Sequence, residues 1–204
     1  MKMRLLSVHR SSQVPAARRF LPAIAIVLFA CLALLPGQAA AGPVFDDFET
    51  YLVGSNLHGQ GGWTGWGGNA GAGALVATNF AFSPTRSVNI TGASDLVHTF
   101  TGATNGQWVF SVMQYIPFTS TGTTCVILMN KSQPPYWTND FNWSVQIQNN
   151  MVTDQVISDL GGGAPRPVIK DQWVEVRCEI NLASNSVSEF YNGQLLSTQR
   201  HSIS

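Results

Sequence analysis

The sequence predicts an all-β sandwich domain that follows an N-terminal export signal. After residue 41, apolar residues alternate with a period of two and do not recur every three or four positions. The alternating segments are short and are separated by Gly- and Pro-rich turns, which is typical of sandwiches and jelly rolls. We find no internal repeat and no linker, so we expect a single domain over residues 42–204.

The first 41 residues have the layout of a signal peptide. A basic start precedes the mostly apolar run Phe20–Leu35, and three alanines at 39–41 supply small residues for cleavage. The apolar run is shorter than the ~20 residues needed to span a bilayer. We therefore expect a secreted or cell-surface chain that starts near Gly42 and has no membrane segment after cleavage. The alternative is an uncleaved N-terminal anchor. A lipoprotein attached through Cys31 is discounted, because Phe29 is bulky for that site and the apolar run continues past Cys31.

Cleavage of this signal changes the charge balance of the chain. Six Lys and Arg residues remain against all eleven Asp and Glu residues, so the mature chain carries a net charge of −5. An acidic domain lacks the basic surface that phosphate backbones require, which argues against a nucleic acid partner. Abundant neutral polar residues suit a hydroxyl-rich partner, such as a polysaccharide or a surface glycan.

Four segments justify the strand prediction in chain order. Residues 107–116 and 173–182 each place large apolar side chains on one face, as expected for half-buried strands. Residues 123–129 are apolar on both faces, which predicts a central strand. Residues 187–198 predict a hairpin around Asn192-Gly193, a pair that favours a type I′ turn.

The segment 141–148 alternates most regularly. Its odd-numbered residues, including Trp143, are apolar and are expected to point into the core. Its even-numbered residues are Asn142, Ser144, Gln146 and Gln148, which predicts a polar face open to solvent.

Five motifs occur along the chain in a fixed order: Phe45-Asp46-Asp47-Phe48-Glu49, Gly59-Gln60-Gly61-Gly62-Trp63-Thr64-Gly65-Trp66, Trp143-Ser144-Val145-Gln146, Asp171-Gln172-Trp173-Val174-Glu175-Val176 and Tyr191-Asn192-Gly193-Gln194-Leu195-Leu196. Together they resemble the concanavalin A-like lectin/glucanase (LamG-like) jelly rolls of bacterial exported proteins, over about residues 44–198. The resemblance implies a closing C-terminal strand beside the opening strand 44–49. We find no such strand after residue 198, so we expect a C-terminally incomplete sandwich with its opening strand at an edge.

The candidate carbohydrate site combines aromatic rings with neutral amides. Aromatic faces stack on sugar C–H surfaces, and amide groups bind hydroxyls, so such a site needs few charges. The polar face of 142–148, the aromatic loop 133–137 and the Gly-rich loop 67–74 provide these groups. The predicted residues are Trp66, Asn69, Tyr136, Trp137, Asn142 and Gln146.

Other residues suggest a metal ion and a disulfide bond. Asp46 and Asp47 are candidate ligands for calcium, which prefers carboxylate and carbonyl oxygens. Cys125 and Cys178 are the two cysteines left after cleavage. They either pair in an oxidising compartment or remain as buried free thiols.

The sequence shows no catalytic arrangement that we can identify, and we expect a non-catalytic protein. Glu175 and Glu179 share a strand face about 13 Å apart, at ~3.3 Å per residue. Retaining glycosidases place their two carboxylates about 5–5.5 Å apart. We expect a solvated ladder of these two acids with Arg177 between them. Two alternatives stay open: a glycan-active hydrolase or lyase, and a structural or adhesive extracellular protein.

Overall fold

The structure, a computed structural model, describes residues 2–10, 44–82, 84–131 and 142–201, the first range by its backbone alone. These residues form strands and only two short 3₁₀ turns, Trp66–Gly68 and Ala70–Ala72. The all-β prediction is therefore confirmed. Within the described ranges, no helix is long and apolar enough to cross a bilayer.

Fourteen strands are seen in the described residues. In chain order they are β1 Lys2–Arg10, β2 Val44–Asp46, β3 Trp63–Gly65, β4 Leu75–Ala77, β5 Ser87–Asn89, β6 Leu96–His98, β7 Gln107–Tyr115, β8 Thr123–Lys131, β9 Asn142–Asn150, β10 Gln155–Ser158, β11 Arg166–Pro167, β12 Trp173–Asn181, β13 Ser186–Tyr191 and β14 Gln194–Arg200.

The larger sheet has the order β14-β13-β12-β7-β1-β5-β4, with β2 paired to β1 off this path. A second sheet has the order β11-β10-β9-β8, and β3 and β6 form a two-stranded ribbon. All strand pairs are antiparallel. The opening strand β2 was expected to lie at an edge, and among the described strands it pairs with β1 alone.

The core lies between the two larger sheets. Val112, Val176 and Cys178 of the eight-stranded sheet and Val145 and Ile147 of the four-stranded sheet have no exposed surface. Fully burying one aliphatic side chain contributes about 1.5–3 kcal/mol, so such positions dominate the stability of the sandwich. The predicted inward faces of 107–116 and 173–182 are confirmed by this burial.

The two sheets are also joined by polar groups inside the core. The Gln114 amide of β7 donates a 2.8 Å hydrogen bond to Asn149 Oδ1 of β9. Gln114 and Asn149 are almost fully buried, and buried amides are tolerated only when they are paired in this way.

The hairpin at the C-terminal end of the chain has the predicted geometry. Tyr191 pairs with Gln194 across the two-residue turn. Asn192 and Gly193 have φ angles of 48° and 73°, as a type I′ turn requires at both positions. The ladder of Glu175, Arg177 and Glu179 on β12 is confirmed as well, since Arg177 forms ion pairs with each glutamate.

The interpretation of 123–129 as a central strand was wrong for the described part of the chain. Strand β8 pairs with β9 and ends the path of the four-stranded sheet. Residues on both faces of β8 are partly accessible, and Ile127 is 40% exposed. The continuous apolar composition of this strand therefore reflects an accessible apolar wall.

Candidate functional site

A large cleft opens beside strands β6 and β8. Its volume is about 1100 Å³, somewhat larger than the ~300–1,000 Å³ of ordinary ligand pockets. Two continuous segments, 90–100 and 123–130, contribute most of its lining. The inner face of the larger sheet contributes Trp108, Phe110 and Ile180. An open cleft of this size suits an extended ligand.

Aromatic side chains line this cleft at several points. Trp66 follows β3 and is half-buried, and its backbone N–H donates a 2.8 Å hydrogen bond to Asp95 O, which continues the pairing of β3 with β6. Trp143 on β9 is 39% exposed and also lines the cleft, together with Phe100. The expectation that Trp143 points into the core was wrong. Its register partner, Met129, is itself a cleft residue.

Neutral polar groups line the cleft together with these rings. The lining includes eight hydroxyl or amide side chains, namely Thr91, Ser94, Thr99, Ser120, Thr121, Thr123, Thr124 and Asn130. Hydroxyl and amide groups both donate and accept hydrogen bonds, as sugar hydroxyls require. Asp95 is the one carboxylate among the described lining residues. Asp95 is exposed, yet desolvation by partial burial raises the pKa of its carboxyl.

The predicted polar face of 142–148 is not an open surface. Ser144 is 1% and Gln146 is 8% exposed. Gln146 Nε2 donates a 2.6 Å hydrogen bond to Asp159, and Ser144 Oγ lies 2.6 Å from His201 Nδ1. This placement corrects Gln146 as a glycan-binding residue, because later segments of the chain cover this face of β9.

The remaining predicted residues separate into four groups. Trp66 lines the cleft. Asn69 is exposed, but its side chain accepts a 2.9 Å hydrogen bond from Gly71 N and caps a 3₁₀ turn, so it has a structural contact. Asn142 is exposed at the start of β9 and is not part of the lining. Tyr136 and Trp137 lie outside the described residues.

Asp46 is held in place by protein hydrogen bonds. Its Oδ2 accepts 2.7 Å bonds from Tyr51 OH and Trp63 Nε1, and its Oδ1 accepts a 2.8 Å bond from Phe48 N. Asp47 Oδ1 caps the backbone N–H of Glu49 at 3.1 Å. Across the described ranges, no three His, Cys, Asp or Glu side chains converge as metal ligands. Asp46 and Asp47 therefore fasten the opening segment, and their role as calcium ligands stays a prediction.

Glu49 continues the same fastening across the chain. Its carboxylate accepts hydrogen bonds from Thr85 N, Thr85 Oγ1 and Arg86 N, at 3.0, 2.8 and 2.7 Å. Desolvation opposes ionisation, but these hydrogen bonds and the Arg86 charge together lower the pKa of Glu49. The acids of the opening motif thus stabilise the start of the domain.

The two cysteines are free thiols in the structure, which corrects the disulfide alternative. Cys125 lies on β8 and Cys178 on β12, in different sheets. Burial, with the nearby charge of Glu189, raises the pKa of Cys178, and burial, with the charge of Asp159, raises that of Cys125. Both thiols are therefore protonated at neutral pH and poor nucleophiles.

The cleft-lining segment 90–100 was not anticipated from the sequence. Its residues are short and polar around Leu96, Val97 and Phe100, a pattern shared by ordinary surface loops. Trp66 was singled out from the sequence, and the strand that precedes it pairs with β6 of this segment in the structure.

Comparison with models of known protein families, with curated proteins and with solved structures finds no match to this chain. The two-layered fold and the cleft geometry are therefore the basis for a functional proposal.

Proposed function

We propose that this protein is an exported, non-catalytic carbohydrate-binding module with a concanavalin A-like sandwich, acting as a secreted or surface-associated protein. The observation that carries the proposal is the cleft, which combines the rings of Trp66, Phe100 and Trp143 with neutral hydroxyl and amide groups. Its expected ligand is a polysaccharide or a surface glycan. A single carboxylate among the described lining residues suits an uncharged ligand.

The binding step follows from the chemistry of these groups. The indole faces of Trp66 and Trp143 pack against sugar C–H surfaces and bury area without requiring charge. Threonine hydroxyls and the Asn130 amide fix the ring hydroxyls and so set the orientation. Stacking on an aromatic ring contributes about 0.5–1.5 kcal/mol beyond area burial, so several weak contacts are needed for useful affinity.

The test is a glycan array followed by calorimetric titration of any sugar retained. Trp143→Ala is expected to weaken binding about tenfold, since it removes an indole that is 39% exposed in the cleft and whose stacking on a sugar is worth about 1.4 kcal/mol. Trp173→Ala is the matched control, because Trp173 packs against Phe82 and Tyr115 away from the cleft. The proposal is wrong if no glycan binds, or if both variants bind as the wild type does.

A glycan-active hydrolase or lyase remains the second candidate, and one observation favours it. Asp95 combines exposure to the cleft with a raised pKa, as a general acid would. Hydrolysis of a glycosidic bond ordinarily needs a second carboxylate about 5–9.5 Å away, and the described lining provides none. Chromatography of a retained glycan after prolonged incubation separates the two candidates. Products that disappear in Asp95→Asn would favour the enzyme.

A further inference from the structure

Strand β1 occupies an interior position in the larger sheet. On one side it pairs with β7, and on the other it pairs with β5 and β2. The pairing with β7 runs from Lys2 opposite Tyr115 to Arg10 opposite Trp108, with one irregularity between Leu5 and Ser7. An interior strand supplies backbone partners to both neighbours, so its removal leaves two edges unsatisfied.

The register of β1 matches the burial of β7. Met3, Leu5 and Val8 stand opposite Gln114, Val112 and Phe110, respectively. Those three residues of β7 are 1%, 0% and 7% exposed. Directly opposed residues of an antiparallel pair lie on the same face of the sheet. The position beside β7 therefore selects an extended segment with apolar residues opposite Phe110 and Val112.

The same residues 2–10 form the basic start of the predicted signal peptide. Cleavage after the three alanines at 39–41 would remove β1 from the exported chain. Strand β7 would then lose its partner on one side, while it stays paired with β12 on the other, and β2 would lose the one described strand with which it pairs. We define the interval between β7 and the strands β2 and β5 as the acceptor slot.

We propose that cleavage opens the acceptor slot, and that the exported chain then binds an extended peptide strand of another protein there. The bound strand runs antiparallel to β7, as β1 does, and carries apolar residues at alternate positions. Such strand addition is a recurring mode of peptide recognition, in which backbone bonds give affinity and alternate side chains give specificity. This binding site is separate in chemistry from the proposed sugar site, and its test requires no sugar.

A second copy of the chain is a less suitable donor than a foreign strand. The other nine-residue strands described here, β7, β8, β9 and β12, are each paired within their own sheets. Donating one of them would break the donor's own core. An extended segment of another exported protein carries no such cost.

The experiment uses the full chain with a site-specific protease sequence inserted between Ala41 and Gly42, purified in a mild nonionic detergent. The probe is a fluorescent peptide of residues 2–10, KMRLLSVHR. After cleavage and removal of the released segment, the probe is expected to bind saturably, and uncut chain is expected to bind at least tenfold more weakly. In the uncut chain the tethered strand already fills the slot at high effective concentration.

A matched pair of peptides tests the strand geometry. The Leu5→Pro peptide lacks one backbone donor of an interior strand, so we expect at least tenfold weaker binding. The Leu5→Ile peptide keeps the ladder and is expected to bind within a few-fold of the probe. Hydrogen exchange is expected to show the alternate amides of 107–115 that face β1 exposed after cleavage and protected again by the probe, whereas the amides that face β12 stay protected throughout.

Each outcome decides the proposal. If the cleaved chain unfolds and the probe restores near-ultraviolet circular dichroism, the proposal is supported, whereas failure to restore it counts against the slot. A cleaved chain that stays folded, ignores the probe and keeps 107–115 protected overturns it. If light scattering shows a dimer and those amides are protected, a second copy of the chain fills the slot. This result overturns the proposal that a strand of another protein binds there. Equal binding of the Leu5→Pro peptide also overturns it.

Discussion

Asp46→Ala is expected to destabilise the domain without any dependence on calcium. The substitution removes three hydrogen bonds, from Phe48 N, Tyr51 OH and Trp63 Nε1. It also releases Phe48, which is fully buried with a φ of 65°, a conformation that is unfavourable for a bulky residue. The fastening role and the calcium role thus predict different results for the same variant.

The size of the effect follows from these contacts. A hydrogen bond to a charged group contributes about 1.5–3 kcal/mol. Asp46 is only half-buried, so water can bind some of the donors that it releases and offset part of the lost energy. Trp63 is 3% exposed, and its indole N–H would lose its partner in a buried site. We therefore expect Asp46→Ala to lower the free energy of unfolding by about 3 kcal/mol.

The assay is urea unfolding followed by tryptophan fluorescence, in excess calcium and in excess EDTA. Asp47→Ala is the matched control, because it removes one 3.1 Å backbone cap and is expected to cost less than about 1 kcal/mol. Equal losses for the two variants would refute the fastening role. A calcium-dependent gain in the wild type that Asp46→Ala abolishes would support the ligand role.

Three further predictions concern titration and thiol access. The pKa of Glu49 is lowered in the folded state, so its ionised carboxylate stabilises the fold above the ordinary pKa of 4.5. This stabilisation is lost as pH falls through the pKa of the folded state, and Glu49→Gln should therefore flatten the fall of Tm on acidification. Glu189 is fully buried, and desolvation raises the pKa of its carboxyl. The stability that its protonated form contributes is therefore complete below pH 4.5 and is lost as pH rises through the pKa of the folded state. Glu189→Gln should raise Tm at neutral pH but not at acidic pH. Cys178 is fully buried and should react with a thiol reagent only in denaturant, whereas two unreactive thiols even in denaturant would indicate a disulfide.

Period-two alternation predicted the strands whose faces differ in polarity. Strands β7 and β12 carry apolar residues on the face that meets the core, and the hairpin at Asn192-Gly193 follows from local turn chemistry. These features depend on neighbours in sequence or on one buried face. Local reasoning is sufficient for such elements.

Strand β9 shows where local reasoning fails. Its polar positions Ser144 and Gln146 are buried because His201 and Asp159, 57 and 13 positions later in the chain, provide hydrogen-bond partners. Burial of a polar side chain is set by such partners and not by its own polarity. Prediction of the cleft from the sequence fails for the same reason, since segments 90–100 and 123–130 are brought together only by the tertiary fold.

The two proposed sites are joined by strand β7. Phe110 and Trp108 line the cleft, and their backbones stand opposite Val8 and Arg10 of β1 in the acceptor slot. A strand that rebuilds the ladder along β7 therefore orders the chain segment that carries two cleft residues. Two ligands that favour the same ordered state strengthen each other's binding by an equal factor. The affinity of the cleft for a glycan is thus expected to be higher when the slot is filled, and the affinity of the slot for a strand to rise by the same factor.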